Sequence, residues 1–231
     1  MFTAIPERQM HWVRWGLTLG WGVIIASLFY DPWTVALTTP DHPWSPLRVS
    51  ADCIPVQGQC VVAAPYSLGT TIFWGLVVPS AIFMLLIFGH DLWRRICPLS
   101  FLSQIPRALG KQRHFRRENK KTGKVRFELA KVKSDSWLGR NYLYFQFAYL
   151  LVGLCGRLLF YNADRWVLAG WLLFTIAAAI AVGYFYGGKS WCQYFCPMAP
   201  VQTVFSEPRG LLGSQAHLSD RRITQSMCRT V

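Results

Sequence analysis

Acidic residues are few in this 231-residue chain, eleven Asp and Glu against 24 Lys and Arg, and charge of either sign largely avoids its long apolar runs. With 52% hydrophobic residues and a mean hydropathy of +0.24, the chain is too apolar for an ordinary soluble fold. A second absence is a short apolar core followed by a small-residue cleavage site at the start, so the first apolar stretch reads as a retained helix rather than a removed signal. A third is any nucleic-acid recognition motif. The formal charge of +13 is not matched by interleaved aromatics, and no nucleic-acid partner is expected.

What is present is four apolar stretches near 11–30, 68–90, 143–161 and 166–186, each close to the roughly 20 residues that cross a bilayer core as a helix. The fold class expected is an all-α membrane protein of four transmembrane helices. Lys and Arg near helix ends are retained on the cytoplasmic side. The segment 91–142 has fourteen of them against four acids and is therefore placed inside. The segment 31–67 has Arg48 against Asp31, Asp41 and Asp52, and the 162–165 turn has only Asp164 and Arg165, so both face out. The four helices then form two in-out-in hairpins with both termini cytoplasmic. Trp12, Trp15, Tyr30, Trp33, Trp166, Tyr184 and Tyr186 cluster at the expected ends, as amphipathic rings do at headgroup level. Apart from Arg14 at the inner end of the first helix, Arg157 is the one charge inside a span. It either snorkels to the outer surface or pairs with a lipid or cofactor carboxylate.

The residues after the second and fourth helices form a weak internal repeat. GHDLWRRICPLS at 89–100 lies over GKSWCQYFCPMA at 188–199, matching Gly89 to Gly188, Cys97 to Cys196 and Pro98 to Pro197. Each helical hairpin is thus followed by a Cys-Pro element at the inner surface. A transmembrane domain is assigned to 1–200, with the basic cytoplasmic loop at 91–142, and a cytoplasmic tail to 201–231. The loop either attracts anionic headgroups or an acidic partner, or only sets topology.

Seven cysteines sort by side of the membrane. Cys53 and Cys60 are outside, where a disulfide is the simplest reading and a redox-active pair the sharper one. Cys155, within the third helix, is expected as a small buried hydrophobe. Cys192 and Cys196 are spaced i, i+4, so one helical turn puts both sulfurs on a face, and Pro197 and Pro98 suit the first turn of a new helix. A helix N-terminus favours thiolate, and iron–sulfur clusters take cysteine thiolates, commonly four. Cys97, Cys192 and Cys196 are the candidate ligands. Arg94, Arg95 and Lys189 offset the charge, and Cys228 is the candidate fourth ligand or the first ligand of a separate module. His90, seven residues before Cys97, and His11 are either interfacial polar anchors or haem or quinone contacts.

The element WCQYFCPMAP at 191–200, with its partner RRICPLS at 94–100 after a helical hairpin, resembles the membrane-bound polyferredoxin-type iron–sulfur proteins. These include the quinol-oxidising membrane subunit of periplasmic nitrate reduction, the membrane regulator of nitrous oxide reduction and the oxidase-assembly ferredoxin. The resemblance implies electron transfer through 4Fe-4S centres, with Cys97, Cys192 and Cys196 at matching positions. Trp93 stands where the first element should carry a further cysteine, so a four-cysteine set is incomplete. No run of closely spaced ferredoxin cysteines is present. On the resemblance, the chain either continues into such a module or is a reduced member. The wording RICPLSFLSQIPR is similar to cyanobacterial members.

The function expected is membrane electron transfer between an inner-face iron–sulfur centre and a soluble ferredoxin-like partner or a quinone, in a bacterial inner or thylakoid membrane. Its partners are the lipid bilayer and a redox protein or larger membrane complex. One alternative is a membrane thiol-disulfide oxidoreductase, which needs a CxxC on the substrate side where this chain has an inward CxxxC. The other is a non-catalytic assembly or scaffold subunit.

Overall fold

A computed structural model of the protein describes residues 7–39, 43, 45, 54–61, 65–118, 125–130, 132–133, 135–162, 164–187 and 190–205. The architecture is mostly helical, and four helical stretches are long and apolar enough to cross a membrane: Gln9–Phe29, Leu68–Phe88, Trp137–Tyr161 and Arg165–Tyr186. The first is α1 (Glu7–Phe29), followed by the short α2 (Trp33–Thr38). The second is α3 (Leu68–Ile72), a π-helical turn (Phe73–Val77) and α4 (Val78–Ile96) in sequence. The third is α7 (Trp137–Gly156) ending in a π-helical turn (Arg157–Tyr161), and the fourth is α8 (Arg165–Tyr186).

The third helix starts six residues before the expected 143. Ser136 accepts a hydrogen bond from the Gly139 N–H at 3.1 Å and caps it. Arg140 and Asn141 interrupt the apolar run there, which hid the helix start from hydropathy. The expected all-α class holds for most of the chain, and two short antiparallel hairpins accompany the helices among the described residues. β1 (Ile54–Val56) pairs with β2 (Gln59–Val61), and β3 (His114–Glu118) with β4 (Val125–Leu129) in the register His114↔Leu129. In β4 the sequence alternates Val125, Phe127 and Leu129 with Arg126 and Glu128 at the strand period, a run of five residues within a strongly basic loop that also holds α5 (Pro98–Leu102) and α6 (Ile105–Ala108).

The fourth span is the centre of the molecule: 33% of its apolar window is buried, against 11%, 11% and 6% in the others. A core of Ile25, Leu28, Phe73, Tyr161, Leu168, Ala169 and Leu172 joins α1, the π-helical turns Phe73–Val77 and Arg157–Tyr161, and α8. Side chains such as Leu151, Leu158 and Phe174 stay exposed, a surface compatible with a multi-pass membrane protein. Cys155 is on that exposed surface and is not buried as expected. α1 crosses α3 where Gly69 leaves room for the Ser27 hydroxyl, which a Cβ there would strike.

Outside the spans, Asp31 ties the α1–α2 turn to the start of α3. Its carboxylate accepts from the Thr34 and Leu68 N–H groups, each at 3.0 Å, and from the Thr34 hydroxyl. Partial burial pushes its pKa up, but the hydrogen bonds from Thr34, Leu68 and Trp33 outweigh that and hold it below the ordinary value.

Candidate metal centre

Proline dictates the local geometry around both candidate cysteines. A residue before proline is driven out of the helical region into extended backbone. Cys97 has φ −56° and ψ 122°, and Cys196 has φ −62° and ψ 122°. Each therefore ends one helical segment and begins another. The Cys97 N–H closes α4 on the Trp93 carbonyl at 2.9 Å, and α5 starts at Pro98. The Cys196 N–H closes a π-helical turn (Trp191–Phe195) on the Trp191 carbonyl, also at 2.9 Å, and α9 (Met198–Phe205) follows. The expected α-helical turn between Cys192 and Cys196 is thus a wider one with i to i+5 bonding.

Tertiary packing brings the two elements together. Leu99 of α5 packs in one cluster with Ala179 of α8, Trp191, Cys192, Phe195, Cys196 and Met198. Ser103, at the end of α5, is fully buried against Gly183, and a Cβ on that glycine would overlap the Ser103 carbonyl. Two more bonds hold the basic loop on the end of α8: Arg113 N–H to the Tyr184 carbonyl at 3.2 Å and Gln112 Nε2 to the Gly183 carbonyl at 3.4 Å.

Cys97 and Cys196 are buried and Cys192 is half-buried. Burial, with the charge of Cys192 adding to it, pushes the Cys97 thiol up to about 12, while the Leu99 and Ser100 N–H groups act the other way. Burial raises Cys196 well above its ordinary value, and Cys192 and Cys97 add to it, against the N–H groups of Met198 and Ala199. The same i+2 and i+3 backbone donors thus serve both sulfurs. Without a cation the Cys97 and Cys196 thiols stay protonated, and coordination to a metal reverses that balance by deprotonating them.

Among the described residues no three His, Cys, Asp or Glu side chains are grouped to hold a single metal ion. A cluster takes one thiolate per iron and spreads its ligands wider than one ion does. The three thiols could supply three of the four ligands of a 4Fe-4S centre, and such a donor set would leave one position over. Cys228, the expected candidate for it, is outside the described residues. So are Cys53, Lys189 and the side chains of His90 and Arg94, although the His90 backbone belongs to α4. Cys60, in β2, is disulfide-bonded. His11 accepts from Trp15 Nε1 at 3.1 Å and packs edge-on against Phe101, which makes it an anchor of α1 on α5.

Three positioning residues escape a pattern-based reading. Gln146, buried in α7, donates from Nε2 to the Gln193 carbonyl at 2.8 Å and so holds the turn between Cys192 and Cys196. Its only signal is an amide in an apolar run. Arg14 Nε donates to the Arg95 carbonyl at 2.6 Å and fixes α1 to the end of α4, two residues before Cys97. Trp191 is buried beside Cys196, stacked on Phe195. These two rings also wall one end of an apolar groove of about 600 Å³ between α7 and α8.

Comparison with known families bears on the class of centre. Residues 169–215 match a 4Fe-4S binding domain. This 4Fe-4S match supports a ferredoxin-type family and an iron–sulfur cluster as the bound group, and it takes in Cys192 and Cys196 while leaving Cys97 outside. It gives no support to haem or quinone. No curated protein and no solved structure matches the chain.

Proposed function

We propose that this protein transfers electrons at a membrane through a 4Fe-4S cluster bound by Cys97, Cys192 and Cys196. One observation carries the reading: the matched 4Fe-4S segment contains Cys192 and Cys196, and the distant Cys97 is close enough to interact electrostatically with both. When bound, such a cluster supplies a one-electron couple tuned by net charge, hydrogen bonds to sulfur and exposure. The protein's part is to orient the thiolates, with Cys97 and Cys196 each at a helix start. Backbone N–H groups at Leu99, Ser100, Met198 and Ala199 stabilise the anionic sulfurs. Leu99, Trp191 and Phe195 keep water away from them.

In this reading the four spans are two in-out-in hairpins, each followed by a Cys-Pro element on the cytoplasmic side of a bacterial inner or thylakoid membrane. The 91–142 loop, with fourteen basic residues, faces the same side and docks an acidic ferredoxin-like donor or acceptor. Residues 201–231 form the tail, and Cys228 belongs to a separate cluster module rather than to this centre.

Anaerobic purification tests the proposal. Visible absorption with about four irons and four labile sulfides per chain is expected. Colourless protein with neither iron nor sulfide contradicts it.

A further inference from the structure

Arg157 lies at the end of α8 opposite the cysteines, and no part of the electron-transfer reading uses it. It begins the π-helical turn that closes the third span, and its guanidinium sits 4.5 Å from the centroid of the Trp74 ring. Trp74 belongs to the π-helical turn of the second span, Phe73–Val77. Among the described residues no carboxylate and no hydrogen-bond acceptor meets the guanidinium. The Trp74 and Trp21 indole N–H groups are also buried without an acceptor, and Trp21 reaches Trp74 through Phe73. The corner is rich in donors and poor in acceptors. A cation inside a span is costly unless something answers it, and widened helical turns recur at functional sites.

We propose that Arg157, backed by Trp74, binds the phosphate of an anionic phospholipid. Inorganic phosphate offers the same oxygens to a guanidinium. The surroundings favour the lipid, because Leu76, Leu158 and Leu159 are 62%, 80% and 66% exposed beside the site and match acyl chains rather than water. The site is independent of the cysteine centre and needs no cluster.

The test uses the full chain in nanodiscs of phosphatidylcholine with increasing phosphatidylglycerol, with native mass spectrometry to count retained lipids. Wild-type protein is expected to retain phosphatidylglycerol in preference to phosphatidylcholine. Arg157→Gln should weaken that retention roughly tenfold or more, the usual scale for losing a charged hydrogen-bond partner. Arg157→Lys keeps the charge but loses the planar fork, so it should weaken retention less. It also serves as the comparison if the glutamine variant does not fold. Equal retention of the two lipids by wild type overturns the site, as does unchanged phosphatidylglycerol retention in the variants. Displacement of the lipid by inorganic phosphate at matched concentration overturns its assignment to a lipid.

Discussion

At the scale of single residues, the bond from Gln146 to the Gln193 carbonyl is what fixes the CxxxC turn from a neighbouring helix. Gln146→Leu keeps the volume but leaves that carbonyl unpaired. It should destabilise the protein by about 1–3 kcal/mol in thermal unfolding and lower iron occupancy with it. Cysteine substitutions separate ligands from bystanders: Cys196→Ser should abolish the cluster's paramagnetic resonance signal, whereas Cys228→Ser should leave it unchanged. Equal loss in both would make Cys228 the fourth ligand. Asp31 sets a pH dependence. Its folded pKa lies below the ordinary 3.8, so its stabilising effect is complete above that value and fades as pH falls through the folded one. Melting temperatures should therefore drop in that acidic window for wild type, and less steeply for Asp31→Asn. The breaks between helical segments at Cys97 and Cys196 were legible in the sequence because a following proline constrains the backbone whatever the tertiary fold. Gln146 was not, since nothing in α7 itself reveals which carbonyl a buried amide will meet.

At the scale of elements, the centre depends on how closely α5 approaches α8. The contact is backbone against backbone at Ser103 and Gly183, with no flexible side chain to give way. Gly183→Ala should cost about 1–3 kcal/mol or more by overpacking, measurable as a lowered unfolding midpoint. It should also shift α5, and with it Cys97, so that iron binding falls in protein that still folds. Four long apolar runs were enough to find the four helices of membrane-crossing length, because lipid demands unbroken hydrophobic length. The start at Trp137 and the β3–β4 hairpin were not legible. A capped polar turn lacks the apolar periodicity on which such reading depends, and β4, where Val125, Phe127 and Leu129 alternate with Arg126 and Glu128, keeps the strand period for only five residues in a strongly basic segment.

At the scale of the whole molecule, α8 is the shared core. Its C-terminal part packs against the cysteine elements and its beginning packs against Tyr161 and the α1 core. The internal likeness between 89–100 and 188–199 pairs the two Cys-Pro elements in sequence, and Leu99 of the first packs in the cluster that holds Cys196 of the second. Which thiols interact depended on packing through Leu99 and Ser103, which no local pattern encodes. The central claim is that Cys97, outside the segment matching the 4Fe-4S domain, joins Cys192 and Cys196 in a single centre. The most direct test is an iron and labile-sulfide count on anaerobically purified Cys97→Ser beside wild type, with equal folding verified by melting. The account predicts about four irons per wild-type chain and loss of most of them in the variant. An unchanged count in Cys97→Ser would contradict it, showing that the matched segment builds its cluster without the first Cys-Pro element.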